Sequence, residues 1–235
     1  MSNFNLFFLI VAAGEGLRMQ SQVKKQYIAV NNLPILSHTL LKFEQYKNRA
    51  HKTILVVPSN DIEYCRKNIL NPLGINDKIM ITAGGKQRQD SVLKGLNVIR
   101  TLSGNLEKDV VLIHDGVRPL INNFLIDACI TGAIEFGACV PAIKAIDTLK
   151  IVKDKVVKKT LNRESVYQIQ TPQAFLLKII INAMESAKDQ NFSGTDDASF
   201  VEFCGHNVAV IEGLRRNIKI TTLEDIKFAK AYLDF

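Results

Sequence analysis

A chain of 235 residues with 47% hydrophobic and 23% charged side chains can bury a core without disulfide staples, and it is expected to form one domain. Thirty Lys+Arg against 23 Asp+Glu give a net charge of +7, which favours anionic partners, although no block of five or six like charges occurs. Trp is absent and aromatics make up only 7%, so a stacking surface for nucleic acid is not expected and phosphorylated small molecules are the favoured partners.

No apolar run approaches the ~20 residues of a membrane helix, and residues 6–13 lack the basic stretch and cleavage site of a signal peptide. No membrane partner and a cytoplasmic location are therefore expected. Cys65, Cys129, Cys139 and Cys204 form no C-x-x-C pair and do not cluster with His38, His51, His114 or His206 at zinc-binding spacing. That usage fits free thiols in a reducing compartment.

In chain order, residues 6–13 (LFFLIVAA), 53–58 (TILVVP), 78–83 (KIMITA) and 110–114 (VVLIH) read as strands buried on both faces. Residues 35–47, 61–70 and 89–100 carry apolar side chains at helical spacing, and Asp61 is the expected N-cap of the second. This alternation predicts an α/β fold, a mainly parallel twisted sheet with helices on both faces. Ligands then bind beyond the carboxyl ends of the strands, where the loop 14–25 and "HDGVRP" (114–119) fall.

Residues 144–170 break the rhythm. Thr148–Val152 and Lys155–Lys159, around Lys153-Asp154, predict a protruding β-hairpin arm, which needs a surface to pack on; a second subunit is one solution. Beyond it the pattern predicts helices 176–188, 196–204 and 223–233 and strands 207–211 and 217–221. Thr222, with Asp225 three residues on, is the expected N-cap of the last helix.

The loop after the first strand carries chemistry. Gly14 and Gly16 allow a backbone turn to approach a ligand closely, and Arg18, Lys24 and Lys25 add charge suited to a triphosphate. A dinucleotide fingerprint would need glycine at Met19, and no G-x-x-x-x-G-K-[ST] phosphate loop is present. "AGGKQRQDSV" repeats the theme with Gly84, Gly85 and Arg88 before a helix that Asp90 or Ser91 would cap. Asp115, at a strand end beside these loops, is the expected Mg²⁺ holder, and Arg118 could reach a phosphate or pair with Asp115. His114 reads as a core or turn histidine, and Lys219 as a strand residue pointing to solvent.

"AAGEGLRM…KKQY", "GGKQRQDSV", "HDGVRP", "QTPQAF", "TDDAS" and "EGLRRNIKITTLED" stand in an order that resembles the 2-C-methyl-D-erythritol 4-phosphate cytidylyltransferases, over residues 6–233. The resemblance implies a single Rossmann-like nucleotidyltransferase domain over 1–235, with 144–170 as a homodimerisation arm. It implies CTP over Ala12, Ala13, Gly14 and Gly16, with Arg18 and Lys25 as catalytic cations and Mg²⁺ as cofactor. Gly85 and Ser91 match positions that recognise cytidine, with Arg88 beside them on the nucleotide side. Asp115, Arg118, Thr171 and Lys219 match the sugar-phosphate site, and Thr148 and Arg163 on the arm would serve the neighbouring subunit. Lys24 stands where the family often has proline, which implies a less stiff loop, and Gly116-Val117 replaces a common alanine pair. The alternatives are a cytidylyltransferase for a pentitol phosphate such as ribitol 5-phosphate, or a silent relative that binds nucleotide.

Overall fold

The computed structural model describes residues 4–14 and 23–233. Strand β1 (Leu6–Val11) has all six residues buried and sits inside the main sheet, paired in parallel with β4 (Ala50–Val57) on one side and β6 (Val110–Asp115) on the other. β5 (Ile79–Ala83) extends the parallel run beyond β4, and a separate short ribbon pairs β2 (Ala29–Val30) with β3 (Leu33–Pro34). Past β6 the sheet turns mixed: β11 (Gln173–Leu176) runs antiparallel to β6 and to β7 (Ala138–Lys144). β10 (Tyr167–Ile169) also pairs antiparallel with β7, whereas β12 (Ala209–Glu212) pairs with it in parallel.

Side chains of β1 alternate between two cores, as period-two geometry requires. Leu6, Phe8 and Ile10 pack with α1 (Ile35–Glu44), the short α2 (Ile62–Cys65) and α4 (Asn123–Phe136). Phe7, Leu9 and Val11 pack with α3 (Arg88–Leu102), α5 (Leu177–Asp189) and α6 (Ala198–Phe203). The expected α/β sheet with helices on both faces is therefore present. A third, smaller cluster joins Val30 and Ile35 to Val117, Ile220 and Ala229 of α7 (Leu223–Leu233). Among the described residues no helix is long and apolar enough to cross a membrane. All four cysteines are free thiols.

Several local expectations change. The predicted helix 61–70 becomes α2 followed by a wider π-type turn, Arg66–Leu70, and the Asp61 side chain does not cap it. Residues 217–221 are not a strand; Arg118 donates to the Asn217 carbonyl and the Ile220 N–H to the Val117 carbonyl, which holds this segment in irregular form. The hairpin forms from β8 (Lys150–Lys153) and β9 (Val156–Thr160), with its turn one residue later than expected. Asp154 and Lys155 both take positive φ, the conformation a two-residue hairpin turn demands. Helix α4 and strand β7 had no counterpart in the sequence reading. Asn122 caps α4 by accepting the Leu125 N–H, and Gly137 ends it at φ 80°. Thr222 and Asp225 do form the expected reciprocal cap of α7.

Candidate active site

The carboxyl ends of β1, β4, β5 and β6 open onto one cavity of about 780 Å³, within the size range of small-molecule sites. β1 supplies Val11 and leads into Ala12 to Gly14, β4 leads into Pro58 and Ser59, and β5 leads into Gly84 to Gln87. β6 supplies Asp115 and leads into Val117; Lys219 and Thr221 complete the wall.

Close packing makes the second glycine loop. A Cβ on Gly84 would lie 2.4 Å from the Ala13 Cβ, and one on Gly85 would lie 2.2 Å from the Asp90 Cβ. The N-cap of α3 is Gln87, not Asp90 or Ser91; Asp90 serves as the third residue of a capping box and receives the Gln87 N–H at 3.0 Å. The Ser91 hydroxyl accepts the Gly85 N–H at 3.0 Å and donates to the Gln87 carbonyl at 3.1 Å, so it fixes the loop from behind.

Around Asp115 the charges converge. Its carboxylate meets Lys219 Nζ at 3.0 Å and the Nε atoms of Arg88 and Arg118 at 3.4 Å each. Burial alone would push this carboxyl up, but Arg88, Lys219 and Arg118 together hold it well below the usual carboxylate range. Arg88 also forks onto fully buried Asp197 with two bonds of 2.7 Å. Burial opposes the charge on Arg88, yet Asp197 and Asp115 overcome it and raise its pKa. The guanidinium is thus a strut between two carboxylates, and it also lines the cavity.

His114 is the core histidine that sequence implied. Its Nε2 donates to the Arg118 carbonyl at 3.1 Å, and the Thr171 hydroxyl, 3.0 Å from Nδ1, donates to the other nitrogen. The same hydroxyl accepts the Asp115 N–H at 3.2 Å. Burial pushes the imidazole pKa down to about 4, so the ring is neutral at pH 7.

The cavity collects Ala12, Ala13, Gly14, Lys25, Gly85, Arg88, Ser91, Asp115 and Lys219 from the sequence-based set. Arg118 and Thr171 stand behind Asp115: Arg118 donates to the Asn217 carbonyl at 2.7 Å, and Thr171 is buried. Thr148 and Arg163 lie exposed at the arm and do not line the cavity; Arg163 donates to the Ile146 carbonyl. Gly16 and Arg18 lie outside the described residues. Lys219 is no solvent-facing strand residue but the shortest contact to Asp115. Lys86, Lys94, Ser59 and Thr221 were missed; Lys86 lies within the quoted "GGKQRQDSV" and Lys94 two residues past it, so position relative to the glycine loop was the usable signal. Val117, the departure from the alanine pair, faces the cavity.

Asp115 does not suit a metal in this arrangement. Both of its oxygens face cations, a dication beside three positive groups is repelled, and among the described residues no group of three His, Cys, Asp or Glu side chains could hold an ion.

Five cations and one carboxylate thus line a glycine-walled basin with room for a nucleoside triphosphate. By fold and charge the chain is in the class of nucleotide-binding α/β proteins. Comparison with known proteins is more specific: the profile of the family described as "2-C-methyl-D-erythritol 4-phosphate cytidylyltransferase" matches residues 6–234. The chain belongs to that family. It is 40% identical over 230 residues to the enzyme of that name from Syntrophotalea carbinolica, covering 98% of this chain and 97% of the relative. The Syntrophus aciditrophicus relative is 42% identical over 227 residues, covering 96% and 94%. A crystal structure of 4-diphosphocytidyl-2C-methyl-D-erythritol synthase from Anaerococcus prevotii superposes with a TM-score of 0.82 at 35% identity, over 99% of both chains.

Proposed function

We propose that this protein transfers CMP from CTP to 2-C-methyl-D-erythritol 4-phosphate, releasing pyrophosphate and forming 4-diphosphocytidyl-2-C-methyl-D-erythritol for isoprenoid precursor synthesis by the non-mevalonate route. The observation that carries this reading is the joining, in one cavity, of the glycine walls and Lys25 with the Asp115–Lys219 pair. The first pair of features suits a triphosphate and the second a polyol phosphate.

The chemistry is a contest between charges. The substrate's phosphate oxygen attacks the α-phosphorus of CTP in line, and pyrophosphate leaves. The nucleophile is already anionic, so no strong general base is needed, and neutral, buried His114 is not asked to be one. What must be overcome is repulsion between two anions and charge growing on the α-phosphoryl oxygens. Lys25, with Arg18 in the same role, answers both. Lys219 can meet the incoming phosphate while Asp115 accepts hydrogen bonds from the polyol; Arg118 and Thr171 hold Asp115 in place. A divalent cation would supply charge neutralisation to the triphosphate, and Asp115, paired with three cations, is not among the residues that would hold it.

The arm is the second half of the reading. Its hairpin carries exposed Ile151, Val152, Val156 and Val157, and a homodimer through residues 144–170 would cover them and bring Thr148 and Arg163 to the neighbour's substrate.

Pyrophosphate release with CTP and Mg²⁺ tests the reaction. Release with methylerythritol 4-phosphate and not with ribitol 5-phosphate is expected. Release with ribitol 5-phosphate alone would move the protein to the pentitol-phosphate reading, and silence with both, from folded CTP-binding protein, would point to a nucleotide sensor. Lys25→Ala should lower the rate by ~10²-fold or more, as loss of one preorganised donor does.

A further inference from the structure

Two walls of the cavity are joined by an ion pair that lies outside it. Lys24 Nζ donates to both carboxylate oxygens of Asp61, at 2.8 and 2.7 Å, and neither residue lines the cavity. Lys24 directly precedes Lys25 on one wall. Asp61 ends the 3₁₀ turn Ser59–Asp61, and Pro58 and Ser59 form part of the other.

Every neighbour of Lys25 in this turn is tied down. The Tyr27 hydroxyl donates to Asp61 Oδ2 at 2.9 Å and lies 3.2 Å from the buried Cys65 Sγ, while its ring packs on Tyr64. Gln26 is 1% exposed and donates to the Ala12 carbonyl at 2.9 Å, which anchors the turn to the end of β1. Lys24 has φ −59° and ψ 136°, a conformation that proline also adopts. The absence of proline at 24 therefore does not leave this turn loose; side-chain bonds supply the stiffness.

Asp61 could have done something else. It occupies the N-cap position of α2, a favoured place for a carboxylate, yet it makes no side-chain cap bond. The carboxylate is given over to Lys24 and Tyr27 instead.

We propose that Lys24 and Asp61 are a positioning pair that fixes Lys25 relative to the Pro58–Ser59 wall and so sets the placement of the CTP phosphates. This rests on the cytidylyltransferase reading above. Neither residue touches the reacting groups; both act through Lys25. Misplacement of a catalytic group by about 1 Å can cost ~10²-fold, and loosening short of that is expected to cost roughly tenfold.

The test uses Lys24→Ala, Asp61→Ala, the double variant and Lys24→Pro in the full-length protein. Each alanine variant should lower kcat roughly tenfold with KM for methylerythritol 4-phosphate within about twofold. The double variant should be no worse than either single one, and Lys24→Pro should recover most of the loss by holding the same backbone angles. A Lys24→Pro variant as slow as Lys24→Ala, or alanine variants within twofold of the parent, would overturn the proposal. Amide hydrogen exchange of the ligand-free protein gives a reading independent of turnover. The Tyr27 and Ile28 amides, bonded to the Lys24 and Lys25 carbonyls at 2.9 and 3.3 Å, should lose at least about tenfold protection in Asp61→Ala while β1 and β6 keep theirs. Unchanged protection at 27–28, or loss spread through the sheet, would overturn the pair's role. If the parent protein transfers no CMP, the function reading fails and the exchange result still decides the pair.

Discussion

The Asp115 cluster and the β8–β9 hairpin are opposite solutions to placing charged side chains. Asp115, Arg88 and Arg118 are mostly buried, and Arg88 is held a second time by Asp197. The hairpin exposes every residue of both strands, and its ladder is a separate two-stranded sheet. The first region is fixed by its own chain, because a buried charge must be paired. The second has valines and an isoleucine in water and only one partner strand per residue, a marginal structure in isolation. The difference separates a cluster that a single chain completes from a ribbon that a single chain leaves exposed.

The largest expected effect breaks the buried side of that contrast. Asp115→Ala leaves Arg88, Arg118 and Lys219 without their shared anion and should destabilise the protein by about 3 kcal/mol, read by urea unfolding at pH 7. A loss below about 1 kcal/mol would mean that the cluster is less dependent on Asp115 than its geometry implies.

Acid sharpens the same side. His114 is held neutral by burial, with its pKa lowered from 6.5 to about 4, so between these values the unfolded chain binds the proton first. Stability should be fully present above pH 6.5 and fall as pH drops towards 4, by on the order of 3 kcal/mol. Asp115 acts in a later window: its lowered pKa keeps its contribution until pH falls below the ordinary carboxylate value of 3.8. Unfolding at pH 7, 5.5 and 4.5 should show the slope, and His114→Gln should flatten it; an unchanged slope would place the titration elsewhere.

At the arm the smallest effect on folding is expected. Val152→Thr with Val157→Thr, opposite each other in the ladder, should change unfolding free energy by no more than about 0.5 kcal/mol while weakening self-association seen by sedimentation. Mixed dimers of Arg163→Ala and Lys25→Ala subunits should regain partial activity if the arm serves its neighbour. No recovery, with mixed dimers verified, would confine the site to one chain.

Much of this was legible in sequence because the signals are local. Apolar runs marked β1, β4, β5 and β6, the glycine loops marked the cavity walls, and Thr222 with Asp225 marked the start of α7. Helix α4 and β7 went unread because residues 121–143 are apolar almost throughout, which hides both periodicities, although Asn122 and Gly137 punctuate the helix. Motif resemblance grouped Lys219 with Asp115, but its own segment misplaced it, since a lysine amid apolar neighbours reads as an exposed strand position. Its contact is with a carboxylate 104 residues earlier in the chain, a relation no local pattern contains.

The sequence by itself determined the class of fold, the strand ends that carry the site and the residue types that meet there. Local propensity and motif order contain that much. Tertiary structure alone decided which cations pair with which carboxylates. Arg88 became a strut, Thr171 a support for Asp115, and Lys24 with Asp61 a clamp beside Lys25. Charge pairing falls off over a few ångströms, so it depends on distances that only the folded chain brings about.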